Sequence, residues 1–224
     1  MKKTLYLSIL AVLLVSCGTQ SKLTKNDAYP KIYEEKPVTL LVMPPINKTS
    51  NVVSKDFLYT SISRPLIESG YYVISPFLAM DILKAESAYD SELFVEGPLG
   101  KFRDFFGVDA VVFSEINSWT KLGFGINTNI RYFIKSAKTG EILFEHDCDL
   151  YLDLSVNSGS NSLLGSLIDI AASAVNTATT EHIEAARNVN YLVFSDLPDG
   201  KYGARYMQDG ADSANKKEFK TTVR

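Results

Sequence analysis

Ile126-Asn127-Thr128-Asn129-Ile130-Arg131-Tyr132-Phe133-Ile134-Lys135 alternates strictly, with Ile126, Thr128, Ile130, Tyr132 and Ile134 on one side and Asn127, Asn129, Arg131, Phe133 and Lys135 on the other. A period of two residues is that of a β-strand with one buried and one wet face. Lys138-Thr139-Gly140-Glu141 supplies a hairpin turn, with Gly140 free to take a left-handed conformation. The return strand puts Ile142, Phe144, His146, Cys148, Leu150 and Leu152 inward and Leu143, Glu145, Asp147, Asp149, Tyr151 and Asp153 outward. Both inward sets share a side only when paired residue numbers sum to an even value, which sets Arg131 opposite Glu145 or Asp147.

Upstream of this hairpin the pattern is different. Val38 to Met43 and Asp109 to Ile116 are short, continuously apolar runs, the first closed by Pro44-Pro45, as expected of strands covered on both faces. Between them, Leu58, Ile62 and Leu66 recur at helical spacing behind a Ser54 cap, Pro65 interrupts the helix, and Gly70 stops it. Tyr71 to Ser75 reads as a strand, Pro76 to about Ala88 as a helix, and Leu99 to Phe106 as a short helix. Downstream, a long helix begins near Asn161 with an apolar first half, Leu163 to Ala172, and Tyr191 to Phe194 reads as an added strand. The fold class is therefore α/β: a mixed sheet of about five strands flanked by helices, in the order β-α-β-α-β-β-β-α, with a C-terminal hairpin and a long last helix. Parallel strands joined through helices require right-handed crossovers.

Met1-Lys2-Lys3, an apolar stretch from Leu5 to Val15, and Leu14-Val15-Ser16-Cys17 together have the form of a lipoprotein signal peptide. The apolar stretch is about half the ~20 residues that span a bilayer, so cleavage is expected rather than a permanent span. The Cys17 thiol is the nucleophile that accepts a diacylglycerol thioether, and its freed amine takes a further acyl chain such as palmitate. Two or three chains anchor durably where one is marginal. Gly18 stands where an Asp favours inner-membrane retention, so the expected address is the outer membrane, facing the periplasm. The domain plan is residues 1–16 signal peptide, 17–36 lipidated tether, 37–210 one globular domain, and 211–224 a flexible tail.

The whole chain of 224 residues is 46% hydrophobic and 22% charged, with 23 basic and 26 acidic residues. These are globular proportions, and the acidic balance lacks the footprint of a nucleic-acid binder. Removing residues 1–16 takes away two lysines and no acid, leaving 21 basic and 26 acidic groups in 208 residues. Attachment to the membrane then rests on lipid alone. With Cys17 acylated, Cys148 is the one remaining thiol and no internal disulfide forms.

No catalytic or metal motif of comparable quality follows. Glu145-His146-Asp147-Cys148-Asp149 bunches five reactive groups, but alternation sends His146 and Cys148 to the core and the carboxylates to the other face. Glu181-His182 is followed by Ala185 where a zinc-binding His would stand, and His182 defaults to the surface. The glycines at 159 and 165 lack a phosphate-loop context. No cofactor is expected beyond the lipid on Cys17. The favoured function is a non-catalytic interaction module of an envelope assembly or secretion complex, with Asn47, Arg64, Tyr71, Phe133 and Tyr151 as the candidate surface. Its partners would be the membrane, other envelope proteins, and further copies of itself. The alternatives are a hydrolase using Glu115, Glu145, Asp147 or Asp149, which needs a cleft and one raised carboxyl pKa, and a binder of cell-wall glycan or peptide through the Asn47, Arg64, Tyr71 region.

Several pieces recur in order as in a family of bacterial lipoproteins of undefined function: Val42-Met43-Pro44-Pro45-Ile46-Asn47, Arg64 to Val73, Phe106-Gly107-Val108-Asp109-Ala110, Lys138 to Glu145, Leu163-Leu164-Gly165 and Leu197-Pro198-Asp199-Gly200. The resemblance spans Pro37 to about Tyr206. It implies a fold similar to the amino-terminal domain of the Tol-Pal translocation protein and to the penicillin-binding-protein activator lipoprotein. It also implies a curli-secretion-like lipoprotein as a neighbour, and it carries over no catalytic residue. The chain departs from the family at Lys201-Tyr202-Gly203-Ala204-Arg205-Tyr206, which replaces a Pro-rich close.

Overall fold

The computed structural model describes residues 23–155 and 174–224, with the backbone alone for 174–179. The readings made for the signal peptide, for Cys17, for the polar loop after Ser155 and for Leu163 to Ala172 lie outside the described residues. In chain order the elements are α1 (Lys25–Ala28), α2 (Pro30–Glu35), β1 (Thr39–Val42), β2 (Ile46–Asn47), α3 (Val52–Ser61), α4 (Ser63–Glu68), β3 (Tyr72–Val73), α5 (Pro76–Ala85), α6 (Gly100–Phe106), β4 (Ala110–Leu122), β5 (Gly125–Ser136), β6 (Ile142–Asp153), α7 (Ala174–Phe194) and β7 (Glu218–Val223). One mixed sheet runs β3-β1-β4-β5-β6-β7, with β2 also paired to β4.

The apolar run predicted at Val38 to Met43 becomes β1, parallel to both β3 and β4. Two consecutive prolines remove the donors that would continue it, and pairing with β4 resumes at Ile46. Helix α3 is capped by Asn51, whose side chain accepts from the Ser54 N–H at 3.1 Å, so Ser54 lies inside the helix and is not its cap. The interruption assigned to Pro65 appears as the break between α3 and α4. Gly70 ends α4 at φ +83°, and a Cβ there would sit 2.0 Å from the Gly203 nitrogen. Only glycine allows the 197–203 turn to close over it, where the Gly200 N–H donates to Ser69 O and the Tyr202 N–H to Gly70 O. The Lys201 to Tyr206 departure from the family is thus a wrap over the end of α4.

The hairpin register follows the even-sum rule, with Ile126 against Leu152, Ile130 against Cys148 and Arg131 against Asp147. It shifts by one residue between Ile134 and Lys135. That shift turns Leu143 inward and leaves Ile142 exposed, the reverse of the alternation expected at the strand's start. Strand β4 runs past Ile116 to Leu122. Its hairpin with β5 ends in an apex where Leu122 and Phe124 are exposed and Gly123 takes φ +58°.

Each side of the sheet has its own core. Leu40, Val42, Val112, Ile130, Tyr132, Phe144 and Leu150 pack under Leu58, Ile62 and Leu66 of α3 and α4 and Ala185, Val189 and Val193 of α7. Leu41, Met43, Val111, Phe113 and Phe133 pack under Ala79 and Leu83 of α5 and Phe102 of α6. The second cover extends only partway along β5. The face predicted as wet is therefore wet at Asn127, Asn129 and Arg131 and dry at Phe133 and Lys135.

Three further expectations are corrected. Tyr191 to Phe194 is the last turn of α7, because an uninterrupted helical run outweighs the short β-like stretch. Among the described residues the sheet has seven strands, since β2, of two residues, and β7, of six, add to the five foreseen. The described parts of the expected tether and tail are also folded rather than loose. Tyr29 and Ile32 of the expected tether are core residues, and β7 within the expected tail lies parallel to β6 from Asp147↔Glu218 to Leu152↔Val223.

Candidate functional site

The described N-terminal arm and the C-terminal segment meet over a buried polar cluster. A capping box between Thr24 and Asp27 starts α1, Pro30 starts α2, and these turns lay Tyr29 against the sheet. The Tyr29 hydroxyl donates to Asp196, and its oxygen lies 2.6 Å from His146 Nε2. His146 Nε2 is 3.1 Å from Asp196 Oδ2, and its Nδ1 is 3.2 Å from the Lys217 carbonyl. Asp196 also accepts the Asn215 N–H at 3.1 Å. Beside it, the Lys25 ammonium reaches Asp209 at 3.3 Å and the Leu197 carbonyl at 3.2 Å, and the Tyr33 hydroxyl donates to Asp209 at 3.0 Å. The Thr24↔Ser213 bridge closes the clasp.

Sequence reasoning placed His146 in the core and missed both of its side-chain partners, which lie 117 and 50 residues away. His146 is fully buried and Asp196 is 4% exposed. Burial, and then the carboxylate of Asp196, pushes the Tyr29 phenol well above its ordinary range. Cys148 is buried as expected, and burial pushes its thiol up to about 12, which keeps it protonated and inert. His182 is not the plain surface residue expected. It stacks on Phe57 at 6.3 Å and accepts from the Trp119 indole at 2.8 Å, and partial burial lowers its pKa.

The wet end of the hairpin carries a charge ladder. The Arg131 guanidinium meets Glu145 at 2.7 Å and Glu115 at 3.6 Å, which realises the cross-strand contact the register required. Lys48 pairs with Glu115 at 2.9 Å, Lys217 with Glu145, and Lys220 with Asp149 at 2.8 Å. Asn129 donates to both Asp147 and Asp149. Partial burial raises the Glu145 pKa, but hydrogen bonds from Lys217 and Arg131 outweigh it and leave the carboxyl below its ordinary range. The bond from Lys220 does the same for Asp149.

Depressed folded-state values mean that this ladder stabilises the protein above the unfolded pKa values of about 4, and that the contribution is lost as the pH falls through the folded ones. Denaturant midpoints measured from pH 6 to pH 2.5 are expected to fall on the acid side, and Lys217→Ala and Lys220→Ala together should flatten that dependence. A wild-type acid limb identical to that of the double variant would contradict the ladder's role.

The five candidate surface residues do not form one patch. Asn47 organises the loop before α3, donating to the Asn51 carbonyl and accepting from Thr49. Tyr71 is buried with its hydroxyl on the Pro198 carbonyl, and Phe133 is buried against Phe113 with ring centroids 5.2 Å apart, so neither belongs to a surface. Tyr151 is half-buried and caps the Leu122 carbonyl near the hairpin apex. Arg64 alone lines an open groove, of about 540 Å³, between α3–α4 and α7.

The profile of the family described as "Putative lipoprotein GNA1162-like" matches residues 27–199. "Putative lipoprotein NMB1124/NMB1162" of Neisseria meningitidis is 26% identical over 199 residues, covering 86% of this chain and 91% of that protein. Among solved structures, lipoprotein GNA1162 from Neisseria meningitidis is 23% identical, covers 64% of this chain and 99% of its own, and has a TM-score of 0.47. A variant PelC dodecamer from Paraburkholderia phytofirmans is 8% identical over 71% of this chain and 88% of its own, with a TM-score of 0.39. The LpoB C-terminal domain from Escherichia coli is 14% identical over 55% and 95%, with a TM-score of 0.38.

Proposed function

From the premise that this chain belongs to the GNA1162-like lipoprotein family, we propose that it is a non-catalytic docking module of the bacterial envelope, anchored in the outer membrane by acyl chains on Cys17 and facing the periplasm. Its partners are other envelope proteins, a curli-secretion-like lipoprotein among them, and copies of itself. The observation that carries this reading is the folded arm. Leu23, six residues after the proposed lipidation cysteine, bonds through its carbonyl to the Ala214 N–H, and Tyr29 and Ile32 tie that arm into the core. An anchor so close to the body fixes how the domain is presented. A hydrolase reading finds little support, because Glu115, Glu145 and Asp149 are held in ion pairs along a sheet face and Asp147 is bonded by Asn129, with Glu145 and Asp149 shifted away from the general-acid range.

Metabolic labelling with a clickable fatty acid is expected to mark the wild type and to leave Cys17→Ala unmarked and in the soluble fraction. Equal labelling of the two would remove the anchor from this account. Crosslinking mass spectrometry from intact cells is expected to recover envelope proteins joined to the module, and recovery of the monomer alone would remove the docking role.

A further inference from the structure

The groove between α3–α4 and α7 is open, about 540 Å³, and within the size range of small-ligand sites. One wall presents Thr60, Arg64 and Glu68, and the other Glu184, Arg187, Asn188 and Tyr191. Both walls are helices, whose backbone donors and acceptors are spent internally, so a ligand here is read by side chains alone. That disfavours an extended peptide, which draws its affinity from main-chain hydrogen bonds to a strand edge.

The side chains are planar polar groups around one aromatic. Arg64 donates Nε to Glu68 at 2.8 Å, and Arg187 donates Nη1 to Glu184 at 2.7 Å. Each pair lies along its own helix, which steadies the guanidinium while leaving it further donors for a ligand. The two arginines and two glutamates cancel in charge, so the groove gives no field for a polyanion. Asn188 donates Nδ2 to the Glu184 carbonyl and keeps its amide oxygen as an acceptor. Tyr191 is 60% exposed, an amphipathic ring turned to solvent. The Arg64 pKa is raised first by the bond to Glu68 and in smaller part by the Tyr191 phenol, so the two walls are within electrostatic reach. Half-buried Ile183 adds an apolar side chain, with buried Pro65 at the groove's edge.

We propose that this groove binds a neutral, N-acetylated saccharide: Tyr191 stacks on a pyranose face, the Arg64–Glu68 and Arg187–Glu184 pairs and Asn188 bond hydroxyls and the acetamide, and Ile183 receives the acetyl methyl. The choice of saccharide rests on the envelope placement above, where amino-sugar glycan is at hand. The site itself rests on the groove's chemistry.

The test titrates the mature, lipidated chain, in a detergent without sugar headgroups, with tetra-N-acetylchitotetraose, followed by calorimetry and by amide shifts. Saturable binding with a dissociation constant at or below about 1 mM is expected, with shifts centred on residues 60–68 and 183–191. Tyr191→Ala should weaken it at least tenfold and Arg187→Ala severalfold, while Tyr191→Phe stays within about threefold of wild type; these positions are exposed, so the thermal midpoint should not move. No saturation by about 10 mM, an undiminished Tyr191→Ala, or equal binding of maltotetraose or an alanine-rich peptide overturns the proposal. Acylation is scored on the same preparation. Failed binding by acylated protein overturns the saccharide site alone, and missing acylation overturns the anchor alone.

Discussion

Asp196→Ala is expected to cost the domain about 3–5 kcal/mol, because one buried carboxylate serves the Tyr29 hydroxyl, the His146 ring and the Asn215 N–H together. Deleting it strands those groups where water does not replace it, and in a chain of this size that corresponds to a melting point lower by roughly 8–15 °C. Asp104→Ala, at an exposed side chain paired with its neighbour Arg103, should shift stability by less than about 0.5 kcal/mol. A second readout separates a loosened clasp from general weakening: trypsin cleavage after Lys31 and Lys36 should accelerate in Asp196→Ala well below the unfolding transition. Unchanged cleavage and an unchanged midpoint would show that the clasp does not hold the arm.

Phe133→Ala is expected to remove about 3–5 kcal/mol, since it empties a ring-sized volume among Phe113, Leu41 and Ala79. Tyr151→Ala, at a half-buried ring on the hairpin's rim, should cost about 1 kcal/mol. The pair is diagnostic because alternation alone puts both aromatics on the wet side and predicts equal, small effects. Chemical denaturation of the two variants decides between an aromatic covered by α5–α6 and one facing solvent.

That contrast shows where the sequence was readable and where it was not. Alternation in β5 and β6 gave the strands, their register and the Arg131–Glu145 contact, because these depend on residues close in the chain. It could not say how far α5 and α6 reach across the back of the sheet to cover Phe133, nor that the distant 197–203 turn closes over Tyr71 in the opposite core. The folded arm had left signals: Thr24 with Asp27 as a capping box, Pro30 at a helix start, and Ile32 three residues after Tyr29. Polar composition outweighed them. Strand β7 likewise shows alternation in Glu218-Phe219-Lys220-Thr221-Thr222-Val223, although its partner strand lies some seventy residues upstream. The Tyr29, His146 and Asp196 cluster left no local trace, since each member comes from a different part of the chain. The groove was touched only through Arg64, because its other wall belongs to a helix more than a hundred residues later.

With the anchor proposed at Cys17, the arm would also limit a standoff distance. Leu23 lies beside Ile142 and Phe144, at the end of the long strands opposite the Leu122–Phe124 hairpin apex. Six residue steps from an acylated Cys17 reach at most about 20 Å, whereas the twelve residues of β5 rise about 40 Å from that end to the apex. With the anchor proposed at Cys17, the two bare hydrophobic side chains of the apex would lie at the end of the sheet remote from the acyl chains.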